Sequence, residues 1–85
     1  MTHALKTWKP YFEVQDNGSK LFELRKDDRP YKVGDIFLSQ EFDQHKNEYT
    51  GKETPYRITY ILRDAEMFGL KQGYCILNLK PIEEF

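Results

Sequence analysis

The amino-acid sequence predicts an α+β fold that is mainly β, with a curved sheet or pseudo-barrel of five to six short strands and one or two short helices. Segments of alternating apolar and polar residues recur along the chain, turn-forming residues separate them, and one early segment has helical spacing. Many short strands spaced in this way are typical of a barrel or sandwich rather than of a parallel α/β sheet. We expect residues 1–85 to form a single domain, because so short a chain needs nearly all its large apolar side chains in one core.

The first elements are a short strand at residues 4–5 and a helix over residues 7–17. Thr7 is placed to cap the helix, and Pro10 falls in its first turn, where a missing N–H costs little. Gly18 ends the helix, because glycine adopts the left-handed conformation that helix C-termini favour. Apolar side chains three and four residues apart predict a stripe that faces inward; they are Trp8, Tyr11, Phe12 and Val14.

The remaining strands are expected at residues 21–25, 36–42, 55–62 and 74–79. Turn residues separate the first two of these, a polar hairpin connection occupies residues 43–52, and a loop precedes the last strand. Alternation along the strands predicts a set of mainly buried side chains: Phe22, Leu24, Ile36, Leu38, Ile58, Tyr60, Cys75, Leu77 and Leu79. The same alternation assigns Glu23 and Arg25 to the opposite face of their strand.

Bulk properties exclude several classes of protein. A net charge of −1 argues against strong, indiscriminate binding of duplex DNA, although residues 20–32 carry a mild basic excess. The single cysteine, Cys75, excludes an internal disulfide and a cysteine-rich zinc module, and His3 and His45 lack metal-ligand spacing. We therefore expect no metal and no cofactor. No apolar stretch is long enough to span a membrane and the first residues lack a signal-peptide core, so we expect a cytoplasmic protein without a membrane partner.

One motif is a candidate for chemistry: Gly18-Ser19-Lys20-Leu21-Phe22-Glu23-Leu24-Arg25. Lys20 lies where the chain leaves the helix, and Glu23 and Arg25 share one face of the following strand. A Glu–Arg pair on a strand is normally solvated and contributes little to stability. However, Leu21 belongs to the same face, which indicates that this face is not wholly exposed to solvent. The alternative is therefore a ligand site in which Lys20 joins the pair.

The pattern Gly18-x-Lys20-x-x-Glu23-x-Arg25 resembles the GxKxxExR motif of the ASCH domain, a member of the PUA-like superfamily. The resemblance covers nearly the whole chain in order, and the chain is similar to a compact ASCH-related group from bacteria and phages. It includes residues 3–8, 11–12, 22–29, 31–36, 49–51, 59–62 and 68–74. It implies a PUA-like pseudo-barrel and the binding of RNA in a cleft beside the motif.

Two functions follow from this resemblance. The first, which we favour, is an RNA- or nucleotide-binding module in which Lys20 and Arg25 contact phosphate or a base edge and Glu23 orients Arg25. The second is a small amidohydrolase that acts on acylated nucleosides such as N4-acetylcytidine, with Lys20 as base and Glu23 activating water or polarising the amide. In the hydrolases that some small ASCH members resemble, a threonine occupies the position of Glu23. Its absence here favours binding.

Two further residues complete the predicted site. Tyr31, in a polar and basic turn, is the best candidate for stacking on a base, whereas Trp8 and Phe68 are expected in the core. Lys71 lies in the long loop before the last strand and is a secondary candidate, since loops on such scaffolds carry binding residues. The pair Asp27-Asp28 is interpreted as a turn cap rather than a cation site, because no further oxygen ligands lie nearby.

Overall fold

The computed structural model describes residues 1–82, which form five strands and one α-helix. In chain order these are β1 (Thr2–Trp8), α1 (Lys9–Asp16), β2 (Phe22–Lys26), β3 (Ile36–Asp43), β4 (Glu48–Leu62) and β5 (Tyr74–Pro81), with a 3-10 turn at Glu66–Phe68. The strands form one curled, half-barrel sheet in the order β1-β3-β4-β5-β2. The predicted mainly β, α+β fold with a curved sheet and a short helix is confirmed.

Strands β1 and β2 lie at opposite edges of the sheet, although only α1 separates them in the chain. β1 pairs with β3 in parallel, and every other neighbouring pair is antiparallel. A parallel pair needs a crossover connection, and here the crossover contains both α1 and β2. The sheet is therefore open between β1 and β2, and α1 packs against β1 and β3.

Helix α1 begins and ends close to its predicted limits. Pro10 falls in the first turn as expected, and Gly18, with a φ of +85°, follows the helix and donates its N–H to the carbonyl of Gln15. The predicted cap at Thr7 is wrong, because this residue belongs to β1 and its side chain faces the core. No helix within residues 1–82 is long and apolar enough to cross a membrane.

The apolar stripe of α1 is only partly buried. Phe12 lies in the interior, but Trp8 and Tyr11 are 50% and 52% exposed. The prediction that Trp8 belongs to the core is wrong because Trp8 is the last residue of β1 and occupies an outward-facing position of that strand's alternation. The junction of β1 and α1 therefore presents two aromatic rings to solvent. Phe68, also expected in the core, is 86% exposed at the end of the 3-10 turn.

The core occupies the inner face of the half-barrel. It consists of side chains from four strands and the segment before β3, namely Leu5, Tyr31, Phe37, Tyr56, Ile58, Cys75, Leu77 and Leu79. The predicted burial of Ile58 and of the three β5 residues is confirmed, and burial raises the pKa of the Cys75 thiol. On β3 the alternation has the opposite phase: Phe37 is buried, whereas Ile36 and Leu38 are only partly covered.

Strand β2 also has the opposite phase from the one predicted. Phe22 and Leu24 are 49% and 56% exposed, whereas Glu23 is 7% exposed and faces the interior. A carboxylate is stable there because two cationic side chains accompany it to the same face, as described below. The apolar residues of β2 instead lie on the outer face, where Leu24 is opposite Ile76 of β5.

A β-bulge in β4 explains another difference from prediction. The pairing of β4 with β5 shifts between Ile58 and Tyr60, so the alternation changes phase at Thr59. Ile58 is buried before the bulge and Ile61 packs against the core after it. Tyr60, which was predicted to be buried with Ile58, is consequently exposed, and so is Leu62.

A buried ionic contact anchors the start of β1 to the turn before β3. His3 Nε2 lies 2.9 Å from Asp35 Oδ2, the Lys32 backbone N–H donates to the same oxygen, and the Met1 amino group lies 3.2 Å from Oδ1. The hydrogen bond from His3 is the main cause that lowers the pKa of Asp35 from 3.8 to about 2. The folded state therefore favours the ionised carboxylate.

The low pKa of Asp35 predicts how stability responds to acid. Because its folded pKa lies below the unfolded value, its contribution should be complete above about pH 4 and be lost as pH falls through about 2. Asp35→Asn should lower the free energy of unfolding by about 1–3 kcal/mol at neutral pH. Urea titrations from pH 7 to pH 2 should show the difference from wild type shrinking with acid. Asp28→Asn, at an exposed position, is the control, and a pH-independent difference for Asp35→Asn would contradict the prediction.

Candidate functional site

A cleft of about 340 Å³ lies at the open side of the sheet, between β1, α1 and β2. Buried Thr7 and Glu23 lie at its floor, and half-exposed Trp8 and Tyr11 form its rim. Lys20 also lines it, from the segment that joins α1 to β2. This is the side of the half-barrel where the inner face is reached without crossing the sheet, because β1 and β2 are not paired with each other.

The cleft brings the three charged residues of the motif together. Glu23 Oε2 lies 3.2 Å from Lys20 Nζ, and Glu23 Oε1 lies 3.6 Å from Arg25 Nη2. Lys20 also donates to the carbonyl of Phe22 over 2.8 Å, so at least one of its three N–H groups remains for a ligand. The convergence predicted for the three head groups is present, with the carboxylate between the two cations.

Arg25 connects the two edge strands. Its Nη2 donates a hydrogen bond to the backbone carbonyl of Lys6 in β1, and its guanidinium carbon lies 5.5 Å from the centre of the buried Phe37 ring. Within residues 1–82, β1 and β2 are not paired by backbone hydrogen bonds, and this contact spans the opening between them. A guanidinium carries five N–H donors, so Arg25 can connect β2 to β1 and still have donors that face the cleft.

Aromatic rings form the rim. The rings of Trp8 and Tyr11 are nearly parallel, with an interplanar angle of 18° and centroids 6.5 Å apart. Lys20 Nζ lies 5.6 Å from the Tyr11 ring centre and 4.9 Å from that of Phe22. Half-exposed aromatic faces beside cationic side chains are suited to stacking on a planar group that carries an anion.

Residues 2–79 match the family described as "Domain of unknown function (DUF3850)". The chain belongs to this family. It is also 30% identical over 76 residues to the "Uncharacterized 12.9 kDa protein in GpA 3'region" of Escherichia phage P2. That match covers 89% of this chain and 65% of the phage protein, so the chain spans about two thirds of the relative's length.

Two predicted site residues of this DUF3850 chain lie outside the cleft. Tyr31 is 3% exposed and its ring packs against His3, with centroids 4.8 Å apart, so its faces are not accessible to a base. Lys71 is exposed, with its ammonium 5.4 Å from the Tyr74 ring, and it does not line the cleft. Tyr31 was misplaced because the basic turn that contains it folds back over the core.

Sequence reasoning did not name Thr7 as a site residue, and it favoured the core over a ligand site for Trp8 and Tyr11. A signal existed for the aromatic pair: both flank Pro10 at the start of a short helix, next to polar Lys9, where an apolar side chain has little to pack against. Thr7 carried a different signal, since it continues the alternation of His3 and Leu5 and therefore shares their inward face.

The acidic turn of this chain forms an ion pair. Arg63 Nε donates to Asp27 Oδ2 over 2.6 Å, and this hydrogen bond is the main cause that raises the pKa of Arg63. Arg63 Nη2 also donates to the carbonyl of Tyr31. Among residues 1–82, no group of three or more His, Cys, Asp or Glu side chains is arranged to hold a metal ion.

The carboxylate of Glu23 should organise the cleft. Glu23→Gln keeps the size of the side chain but leaves two cations close together without their counter-charge. We expect it to lower the free energy of unfolding by about 1–3 kcal/mol. The loss is limited to this range because both cations are still partly hydrated. Urea denaturation at neutral pH measures the change, with exposed Glu48→Gln as the matched control. Equal stability of Glu23→Gln and wild type would show that the two cations need no counter-charge.

Proposed function

We propose that this DUF3850 chain binds RNA or a nucleotide in the cleft between β1, α1 and β2. The observation that carries the proposal is the convergence of Lys20 and Arg25 around Glu23, directly beneath the half-exposed Trp8–Tyr11 pair. Cations with free N–H groups suit a phosphate, and aromatic faces suit a base. Both requirements of a nucleotide are met within one cleft of nucleotide dimensions.

The charges of the cleft favour a modest affinity. Lys20 and Arg25 carry two positive charges against the single negative charge of Glu23, so the three groups have an excess of one. One phosphate can be neutralised there, and few others can be on a chain of net charge −1. Binding should therefore fall with salt, but with a shallow dependence. Glu23 keeps Arg25 oriented, which lowers the conformational cost when its planar guanidinium meets a phosphate.

The Trp8–Tyr11 pair takes the stacking role that was expected for Tyr31. Stacking a base on one aromatic side chain contributes about 1–3 kcal/mol, which is comparable to one charged contact. Single-stranded RNA offers unpaired bases for such stacking, whereas a duplex does not. The proposal therefore favours single-stranded or looped RNA, or a free nucleotide, as partner.

The resemblance of Gly18-x-Lys20-x-x-Glu23-x-Arg25 to the ASCH motif supports the proposal independently, since ASCH-type, PUA-like domains place RNA beside this motif. We accordingly propose a PUA-like relationship for the half-barrel sheet. A cytoplasmic location follows from such a partner. The proposed binding uses no metal, cofactor or membrane.

A second candidate function is hydrolysis of an acylated nucleoside. The observation that favours it is Thr7, which lines the same cleft as Lys20 and Glu23 and supplies a threonine that the motif lacks. In such a reaction Lys20 would act as base and Glu23 would activate water or polarise the amide. However, Lys20 is engaged with Glu23 and Phe22 and is not free to act as base. The Thr7 hydroxyl is engaged with Ser39 and is not free to act as nucleophile. Binding remains the better-supported function.

Trp8 allows binding to be measured directly. It is the only tryptophan of the chain, and a base stacked on it should quench its fluorescence. Titration with AMP, CMP and a short single-stranded RNA should show saturable quenching that weakens with salt. Arg25→Lys should weaken this binding by about 1–3 kcal/mol, because lysine keeps the charge but loses the planar fork. Tyr11→Ala should weaken it by a similar amount.

Lys71→Ala is the matched control, since it removes an exposed lysine outside the cleft. It should bind like wild type, whereas Lys20→Ala should bind weakly at an unchanged fold, as judged by circular dichroism. Normal binding by both Lys20→Ala and Arg25→Lys, or loss of binding in Lys71→Ala alone, would place the ligand elsewhere on the protein.

Incubation with N4-acetylcytidine separates the two functions. Hydrolysis adds water across the amide and releases cytidine and acetate, which chromatography resolves. If the protein only binds, no cytidine should appear beyond the background without protein. Cytidine release by wild type that disappears in both Lys20→Ala and Thr7→Val would instead establish the amidohydrolase.

A further inference from the structure

Three polar side chains from three different elements meet beneath the floor of the cleft. Ser39 Oγ of β3 lies 2.8 Å from Thr7 Oγ1 of β1 and 2.8 Å from Gln15 Oε1 of α1. All three side chains are buried, and Ser39 is wholly inaccessible. Thr7 alone among them lines the cleft, so it connects the buried cluster to any molecule bound there.

The number of hydroxyl protons determines which group donates in each hydrogen bond of this cluster. The Gln15 amide presents its oxygen, rather than its nitrogen, to Ser39. Because this oxygen carries no hydrogen, the Ser39 hydroxyl donates its single proton to it. The bond between Ser39 and Thr7 must then use the proton of Thr7, with Ser39 Oγ as acceptor. Thr7 Oγ1 consequently has lone pairs available but no proton left for the cleft.

The cluster would lower the stability of the folded state if its only role were packing. Gln15 Nε2 has no hydrogen-bond partner within the part of the chain that the structure describes. A buried donor without a partner destabilises the folded state, and an apolar residue at this position would avoid that penalty. Gln15 is therefore better explained by what its carbonyl oxygen does for Ser39 and Thr7.

We infer that Thr7 is a specificity-determining residue that accepts a hydrogen bond from an N–H or O–H donor of the ligand. The inference rests on the proposed nucleotide binding and refines it. The cleft then has two chemically different ends: cationic Lys20 and Arg25 take the anionic group, and Thr7 Oγ1 takes a donor and discriminates against a carbonyl or phosphate oxygen. In a nucleotide, an exocyclic amino group of the base supplies such a donor.

Ser39 and Gln15 act through Thr7 as positioning residues. If the Ser39 hydroxyl is removed, the Thr7 proton loses its acceptor and can turn towards the cleft. Thr7 would then donate as well as accept, and its preference for donors should fall.

Nucleotide pairs that differ by one amino group test this inference. AMP and purine riboside 5′-monophosphate form one pair, and CMP and pyrimidin-2-one riboside 5′-monophosphate form the other. For at least one pair, wild-type protein should bind the amino-bearing member about 3–10-fold more tightly by isothermal titration calorimetry, the range of one hydrogen bond. Thr7→Val, which keeps the shape but removes the oxygen, should abolish the difference between the members of that pair.

Ser39→Ala provides a second, independent variant in case Thr7→Val does not fold. It should reduce the amino-group preference towards unity while Lys71→Ala retains it. Equal binding within both pairs, a preference for the members without the amino group, or a preference that survives both Thr7→Val and Ser39→Ala would overturn the inference while leaving nucleotide binding intact. Failure of all four nucleotides to bind would overturn this inference. If the short single-stranded RNA also fails to bind, the proposed function is overturned with it.

Discussion

A carboxylate inside a small β domain needs partners that offset its lost hydration, and Glu23 has a cation on each side. Lys20 reaches it from the end of the helix connection, and Arg25 reaches it from two residues along the same strand. This arrangement decides which face of β2 points inward. Because the charged side chains take the inner face, Phe22 and Leu24 must take the outer one. The orientation of an entire edge strand therefore depends on one set of charge contacts.

The open side of the sheet explains why the charges gather there. Consecutive strands β1 and β2 are at opposite edges, so no backbone ladder joins them, and side chains must connect the two. The Arg25 guanidinium does so by donating to a β1 carbonyl while it lies against Phe37. A side-chain bridge leaves space that a strand would have filled, and that space is the cleft.

The inner face changes character along the half-barrel. Leu5 and Phe37 form part of the apolar core. Thr7 and Ser39, the next inward-facing residues along the same strands β1 and β3, belong to a polar cluster beneath the cleft. An interior that becomes polar towards its opening gives up hydrophobic stabilisation at that end. Residues at such a position are better explained by a ligand than by folding, which is why both the binding and the hydrolytic candidates use the same side chains.

The sequence by itself determined the order of the elements, the end of the helix at Gly18 and the meeting of Lys20, Glu23 and Arg25 in one cleft. Each depends on interactions between residues close in the chain, which local spacing encodes. Only the tertiary structure decided which alternate residues of β2 and β3 face inward, that Tyr31 is buried, and that Trp8 remains at the surface. Alternation divides the residues of a strand into two sets but does not show which set faces inward. Partner strands and charge contacts decide that. The bulge at Thr59 likewise follows from how β4 pairs with β5, which no feature of β4 alone reveals.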